Sequence, residues 1–163
     1  MIARAAFAAL LLAATCVPAQ AQASDPPTTF FKADPLADDQ LETAWRNAAE
    51  MGRLAIVVFG ADWCHDSRAL ARFLTSEAFQ REFGDRYTVT FIDVGKPQTG
   101  QGRNLDLVEG LGVRKLTSTP ALLVLNGAGK RLNSAKDARS WRNAESRGEA
   151  GTLSWFRRFK PKP

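Results

Sequence analysis

The chain is poor in the side chains that most often carry chemistry. Its 163 residues include two cysteines, Cys16 and Cys64, and one histidine, His65. That is too few for a Cys/His set with metal-ligand spacing, so neither a metal nor a cofactor is expected. No glycine-rich phosphate loop is present, and no pair of carboxylates stands at catalytic spacing, so nucleotide-driven chemistry and two-carboxylate hydrolysis drop out. Past the first two dozen residues no apolar run is long enough to cross a bilayer. There is no internal repeat and no sign of a second domain, and the length suits one domain with its own core.

The amino terminus reads as an address. Arg4 gives a positive start, Ala5 to Ala14 an apolar stretch too short for a membrane anchor, and Ala21-Gln22-Ala23 a small-residue cleavage site before Ser24. Residues 1–23 are therefore expected to be a signal peptide, and the protein to be periplasmic or secreted once it is removed. Ala13-Ala14-Thr15-Cys16 is a poor match to a lipid-modification signal, so anchoring through Cys16 is not expected. Cleavage would remove Cys16 and leave Cys64 alone, with no internal disulfide to form. A lone cysteine in an exported protein is a reactive thiol, a bridge to a second molecule, or a buried and inert side chain.

Charge is unevenly spread. The formal net charge is +5, yet residues 24–129 hold 11 Lys/Arg against 14 Asp/Glu, while residues 130–163 hold 10 against 3. A basic tail can face anionic lipid, an acidic partner or nucleic acid, or can simply be a solvated face. Export leaves nucleic acid out.

One stretch organises the rest. Leu54 to Phe59 is a continuous apolar run rich in β-branched residues, which reads as a buried strand. Gly60-Ala61 ends it. Asp62 is a candidate N-cap, and Cys64 falls in the first turn of a helix continuing through Leu70 and Leu74. Unpaired N–H groups and the positive end of the helix dipole meet there, and both favour the nucleophilic thiolate.

Around this stretch the pattern runs as follows. Residues 24–37 form a proline-containing lead-in, with Thr29 to Phe31 a candidate edge strand. Asp38 or Asp39 can cap a helix through Met51 whose Trp45 is a core candidate. After the Cys64 helix, Ser76 opens a second amphipathic segment carrying Phe79 and Phe83. Tyr87 to Val94 is a strand, Asn104 to Leu111 a helix, and Ala121 to Leu125 a strand. Asn126-Gly127 is a turn from which Lys130 to Leu132 could return as an antiparallel partner. Helices around residues 137–145 and 152–159 close a single domain spanning 38–163. The crossover rule makes strands 54–59 and 87–94 parallel neighbours.

Strand, then Gly60-Ala61-Asp62-Trp63-Cys64-His65-Asp66-Ser67, then helix resembles the active-site segment of the thioredoxin superfamily, in which a W-C-x-x-C motif opens a long helix. Ser118-Thr119-Pro120 before Ala121 to Leu125 resembles that superfamily's cis-proline loop. Phe91-Ile92-Asp93-Val94-Gly95 and Leu125-Asn126-Gly127-Ala128-Gly129-Lys130 are similar to small exported thioredoxin-like proteins of proteobacteria. The resemblance implies an α/β thioredoxin-like fold, a mixed central β-sheet covered by helices on both faces. It also implies thiol-disulfide exchange at Cys64, with a substrate lying along Trp63, Asp66, Thr119 and cis Pro120.

Two positions depart from the pattern. Ser67 stands where a resolving cysteine would be, and Val58 where thioredoxins proper often carry a buried acid. The motif is a degenerate, monothiol C-H-D-S. Cys64 would be the nucleophile, His65 an adjacent cation when protonated or else a plain surface residue, and Ser67 a hydroxyl one helical turn away, able to donate to the thiolate. A hydroxyl cannot displace a mixed disulfide, so release would need a small thiol or a cysteine of a partner protein. Three functions stay open: monothiol reduction, isomerisation or capture of cysteine-containing partners; a redox-inactive binding module; and a disulfide-linked dimer through Cys64.

Overall fold

The computed structural model describes residues 29–161. The expected signal peptide over 1–23 and the first part of the lead-in lie outside them. The order is α1 (Ala37–Glu50), β1 (Leu54–Gly60), α2 (His65–Leu74), α3 (Glu77–Phe83), β2 (Tyr87–Asp93), β3 (Gly95–Lys96), β4 (Gln101–Gly102), α4 (Leu105–Gly110), β5 (Ala121–Leu125), α5 (Ala135–Arg139) and α6 (Gly148–Phe156). Short 3₁₀ turns at residues 97–99, 140–143 and 145–147 fill the connections.

The sheet has β1 at its centre. β1 pairs in parallel with β2, Leu54 opposite Tyr87 through Gly60 opposite Asp93, and antiparallel with β5, Ala55 opposite Leu125 through Phe59 opposite Ala121. The result is a mixed sheet in the order β2-β1-β5. All seven residues of β1 are buried, which is why its sequence is uninterruptedly apolar. Successive side chains alternate between two cores. Leu54, Ile56 and Val58 join Leu70, Leu74, Phe79, Phe83 and Phe156 on one face. Ala55, Val57 and Phe59 join Ala48 of α1, Val108 of α4 and Ala138 of α5 on the other. Helices thus cover both faces of the sheet.

Several local expectations are corrected. α1 begins at Ala37 with Leu36 at the N-cap and no side-chain cap; Asp38 and Asp39 lie in its first turn, where their charge faces the dipole. Trp45 is half-buried and packs against the edge of the core on the Val57 and Phe59 face, its indole lying over Gly129. Thr29 to Phe31 forms no strand, because the amides of Phe30 and Phe31 are taken by the Asp62 carboxylate, at 3.1 and 3.2 Å.

Beyond β5 the expected return over residues 130–132 does form as a short antiparallel arm: the Asn126 amide donates to the Lys130 carbonyl at 3.0 Å, the Leu132 amide to the Val124 carbonyl at 2.8 Å, and Leu125 bridges to Arg131 between them. The Asn133 side chain extends the ladder by two further bonds. Its Oδ1 accepts from the Val124 amide at 3.0 Å and its Nδ2 donates to the Leu122 carbonyl at 2.9 Å. The expected helix over 137–145 is only the five residues of α5, followed by two 3₁₀ turns, and α6 stops at Phe156.

Candidate active site

The site forms where β1 hands over to α2. Cys64 itself is the N-cap of α2, with extended backbone (φ −83°, ψ 123°), and its carbonyl accepts from the Arg68 amide. Asp62 is not the cap. Its carboxylate is held by the two lead-in amides, and its carbonyl accepts from the Arg68 guanidinium at 2.5 Å. Asp62 therefore clamps the lead-in and the first turn of α2 onto the strand end.

Gly60 makes this packing feasible. A Cβ there would lie 2.7 Å from the Phe31 ring and 2.8 Å from Ser67 Oγ, closer than carbon tolerates. Nothing in the sequence alone marks Gly60 as more than a strand terminator.

Cys64 is 9% exposed. Its thiol donates to the Thr119 carbonyl at 3.4 Å, and the Thr119–Pro120 peptide is cis. Two loops far apart in sequence therefore meet at the sulfur. Trp63, the residue before Cys64, is 45% exposed. Its indole N–H donates to the Gly95 carbonyl at 2.8 Å, which fixes the ring at the rim. Next to it opens a cleft of about 570 Å³ lined by Phe31, Asp62, Trp63, Asp93, Lys96 and Arg103 among others. Asp93, nearly buried, is paired there with Arg103 at 3.2 Å.

The remaining motif residues point elsewhere. His65 Nδ1 lies 3.1 Å from a Glu145 carboxylate oxygen, with both side chains exposed. Asp66 Oδ1 accepts from the Glu145 amide at 3.0 Å. His65 and Asp66 together dock the turn before α6 against the start of α2. Glu145 is 79 positions from Asp66, so no local pattern could reveal it. Ser67 is fully buried, and among the described residues its hydroxyl has no hydrogen-bond partner. The expected hydrogen bond from Ser67 to the Cys64 sulfur does not form; the hydroxyl sits against Gly60 instead.

Cys64 is the free cysteine of the described residues. Among them, no three His, Cys, Asp or Glu side chains come together as a metal site, and no helix is long and apolar enough to cross a membrane.

Comparison with known proteins agrees with this architecture. A family model described as thioredoxin-like matches residues 35–127. A solved structure described as a disulphide isomerase from Xylella fastidiosa Temecula1 is similar, at 28% identity and a TM-score of 0.65, covering 78% of this chain and 95% of its own. No curated protein sequence matches.

Proposed function

The chain belongs to the thioredoxin-like family, and from that premise we propose that it is an exported, periplasmic monothiol protein carrying out thiol-disulfide exchange with cysteine-containing partners. One observation carries the reading: Cys64 caps α2, with Thr119 O of the cis-proline loop 3.4 Å from its sulfur. The similarity to a disulphide isomerase supports the same class of chemistry.

The step conserves sulfur and charge. The Cys64 thiolate attacks one sulfur of a partner disulfide, the old S–S bond breaks, and the partner's other sulfur leaves as a thiolate. A mixed disulfide to Cys64 remains. Ser67 supplies no thiol to resolve it. An outside thiol, either a small one or the partner's second cysteine, must attack the mixed disulfide and regenerate Cys64. Trp63, next to Cys64 in the chain, and the Thr119-Pro120 loop, whose Thr119 carbonyl meets the sulfur, would form the walls along which an extended substrate lies. His65 and Asp66 position the C-terminal segment at the edge of that path.

The low exposure of Cys64, 9%, favours a second reading, a binding module that keeps the groove but not the exchange. Acid-quenched trapping followed by non-reducing electrophoresis separates the two. Adducts that disappear in Cys64→Ala and on reduction support exchange. The same adduct set in wild type and variant would sink it. Partner binding that persists in Cys64→Ser with no adducts in wild type would mark a binding module. A reducible band at twice the mass would mark a Cys64-linked dimer.

A further inference from the structure

The surface beside the cis-proline loop is strongly basic. Arg114, Lys115, Lys136, Arg139 and Arg142 line a cleft of about 600 Å³ together with Ser118. Four of the five cations are exposed and Arg139 is half-buried. Among the described residues none of the five takes part in a salt bridge. Neither of two nearby carboxylates pairs with these cations. Glu109 accepts from the Lys115 backbone amide, and Asp137 accepts from the Trp155 indole and pairs with Arg158. Lys115 adopts the left-handed conformation, φ 53°, which few non-glycine residues occupy.

This cleft begins beside the candidate site, at Ser118. Ser118 precedes Thr119 directly, and the Thr119 carbonyl touches the Cys64 sulfur. Five like charges converging on a concave surface make a field that a negative segment would neutralise. A flat bilayer cannot enter such a cleft and meet the thiol along one path.

We propose that the cleft selects partners by taking an acidic stretch of polypeptide that lies beside the cysteine reacting with Cys64. The inference rests on the exchange reading and deepens it, adding a chemical class of substrate.

The test uses three peptides with one cysteine each, flanked by acidic, neutral or basic residues and supplied as mixed disulfides with 5-thio-2-nitrobenzoate. Capture by Cys64 breaks the bond to the aromatic thiol, forms a Cys64–peptide disulfide and releases the coloured thiolate. At low salt the wild-type protein should capture the acidic peptide about tenfold faster than the neutral one, and added salt should shrink the ratio. In a triple variant, Arg114→Gln, Lys136→Gln and Arg142→Gln, the ratio should fall below about twofold while capture of the neutral peptide is unchanged. A control triple that loses the same charge elsewhere, Lys32→Gln, Arg72→Gln and Lys160→Gln, should keep the preference.

Equal capture of acidic and neutral peptides by wild type, or equal loss in both triples, would overturn the inference and leave the exchange reading standing. If no peptide is captured, the exchange reading fails. Fluorescence anisotropy of the acidic peptide with serine in place of cysteine then decides the cleft alone. Binding lost only in the cleft triple supports it, and absence of binding overturns it. Vesicles of phosphatidylglycerol that bind through the same three cations, with no preference among peptides, would assign the cleft to a membrane and overturn the proposal.

Discussion

Position 67, three residues after Cys64, carries a hydroxyl and not a thiol, and the consequences are both structural and chemical. The Ser67 hydroxyl is buried without a partner among the described residues, a state that costs about 1–3 kcal/mol relative to a satisfied group. Ser67→Ala is therefore expected to leave stability unchanged or raise it by up to about 1 kcal/mol, and to leave trapped adducts as abundant as in wild type. Ser67→Cys places a thiol one turn from Cys64. It should let the protein resolve its own mixed disulfides, so that trapped adducts become scarce while turnover of disulfide substrates rises. Equal adduct yields in wild type and Ser67→Cys would show that the missing resolving thiol does not limit release.

Among the elements, β5 shows how a short edge is handled. Its inner side pairs with β1, and the polar groups left over on its outer side would otherwise be unsatisfied. The Asn133 amide, 4% exposed, donates to one and accepts from another. Asn133→Ala would leave a buried N–H and a buried carbonyl without partners, and a loss of about 2–4 kcal/mol follows from two such groups. Urea unfolding measures it. A loss below about 0.5 kcal/mol would mean that water enters and takes over both bonds. The His65–Glu145 contact differs in kind. Both side chains are more than half exposed, so it contributes little to stability, and its importance lies in where it sets the C-terminal segment.

For the molecule as a whole, the clasp between the sheet and the C-terminal helix is the Tyr87 hydroxyl, which donates to the Phe156 carbonyl at 2.7 Å and lies 3.1 Å from that of Phe159. Around it, Phe79, Phe83 and Phe156 pack edge to face and tilted, an arrangement that adds to their burial. Burial pushes the Tyr87 pKa up to about 12, with the charge of Arg86 opposing it. A raised folded-state value means that the contribution is complete below the ordinary tyrosine value near 10 and is lost as pH climbs through about 12. Tyr87→Phe should thus cost about 1 kcal/mol at neutral pH, and the gap to wild type should close between about pH 10 and 12. Urea midpoints collected across that range test it; a constant gap would refute the clasp.

Much was determined by sequence alone, because the signals were local. A continuous apolar run made β1 a strand buried on both faces, Ser76 announced the break between α2 and α3, and Trp63-Cys64 with Thr119-Pro120 marked the family and the two sides of the site. Tertiary structure decided the rest, because it turned on groups distant in sequence. Asp62 reads locally as a helix cap, but two amides from the lead-in compete for its carboxylate and Cys64 takes the cap. Asn126-Gly127 marked the hairpin through which residues 130–132 return along β5, but that the Asn133 side chain continues the ladder beyond them was not legible. Ser67 has the spacing to reach the sulfur, yet close packing against Gly60 turns its hydroxyl away. Likewise, ten cations after residue 129 say only that the tail is basic. It took the fold to bring three of them beside Arg114 and Lys115, next to the loop that touches the thiol.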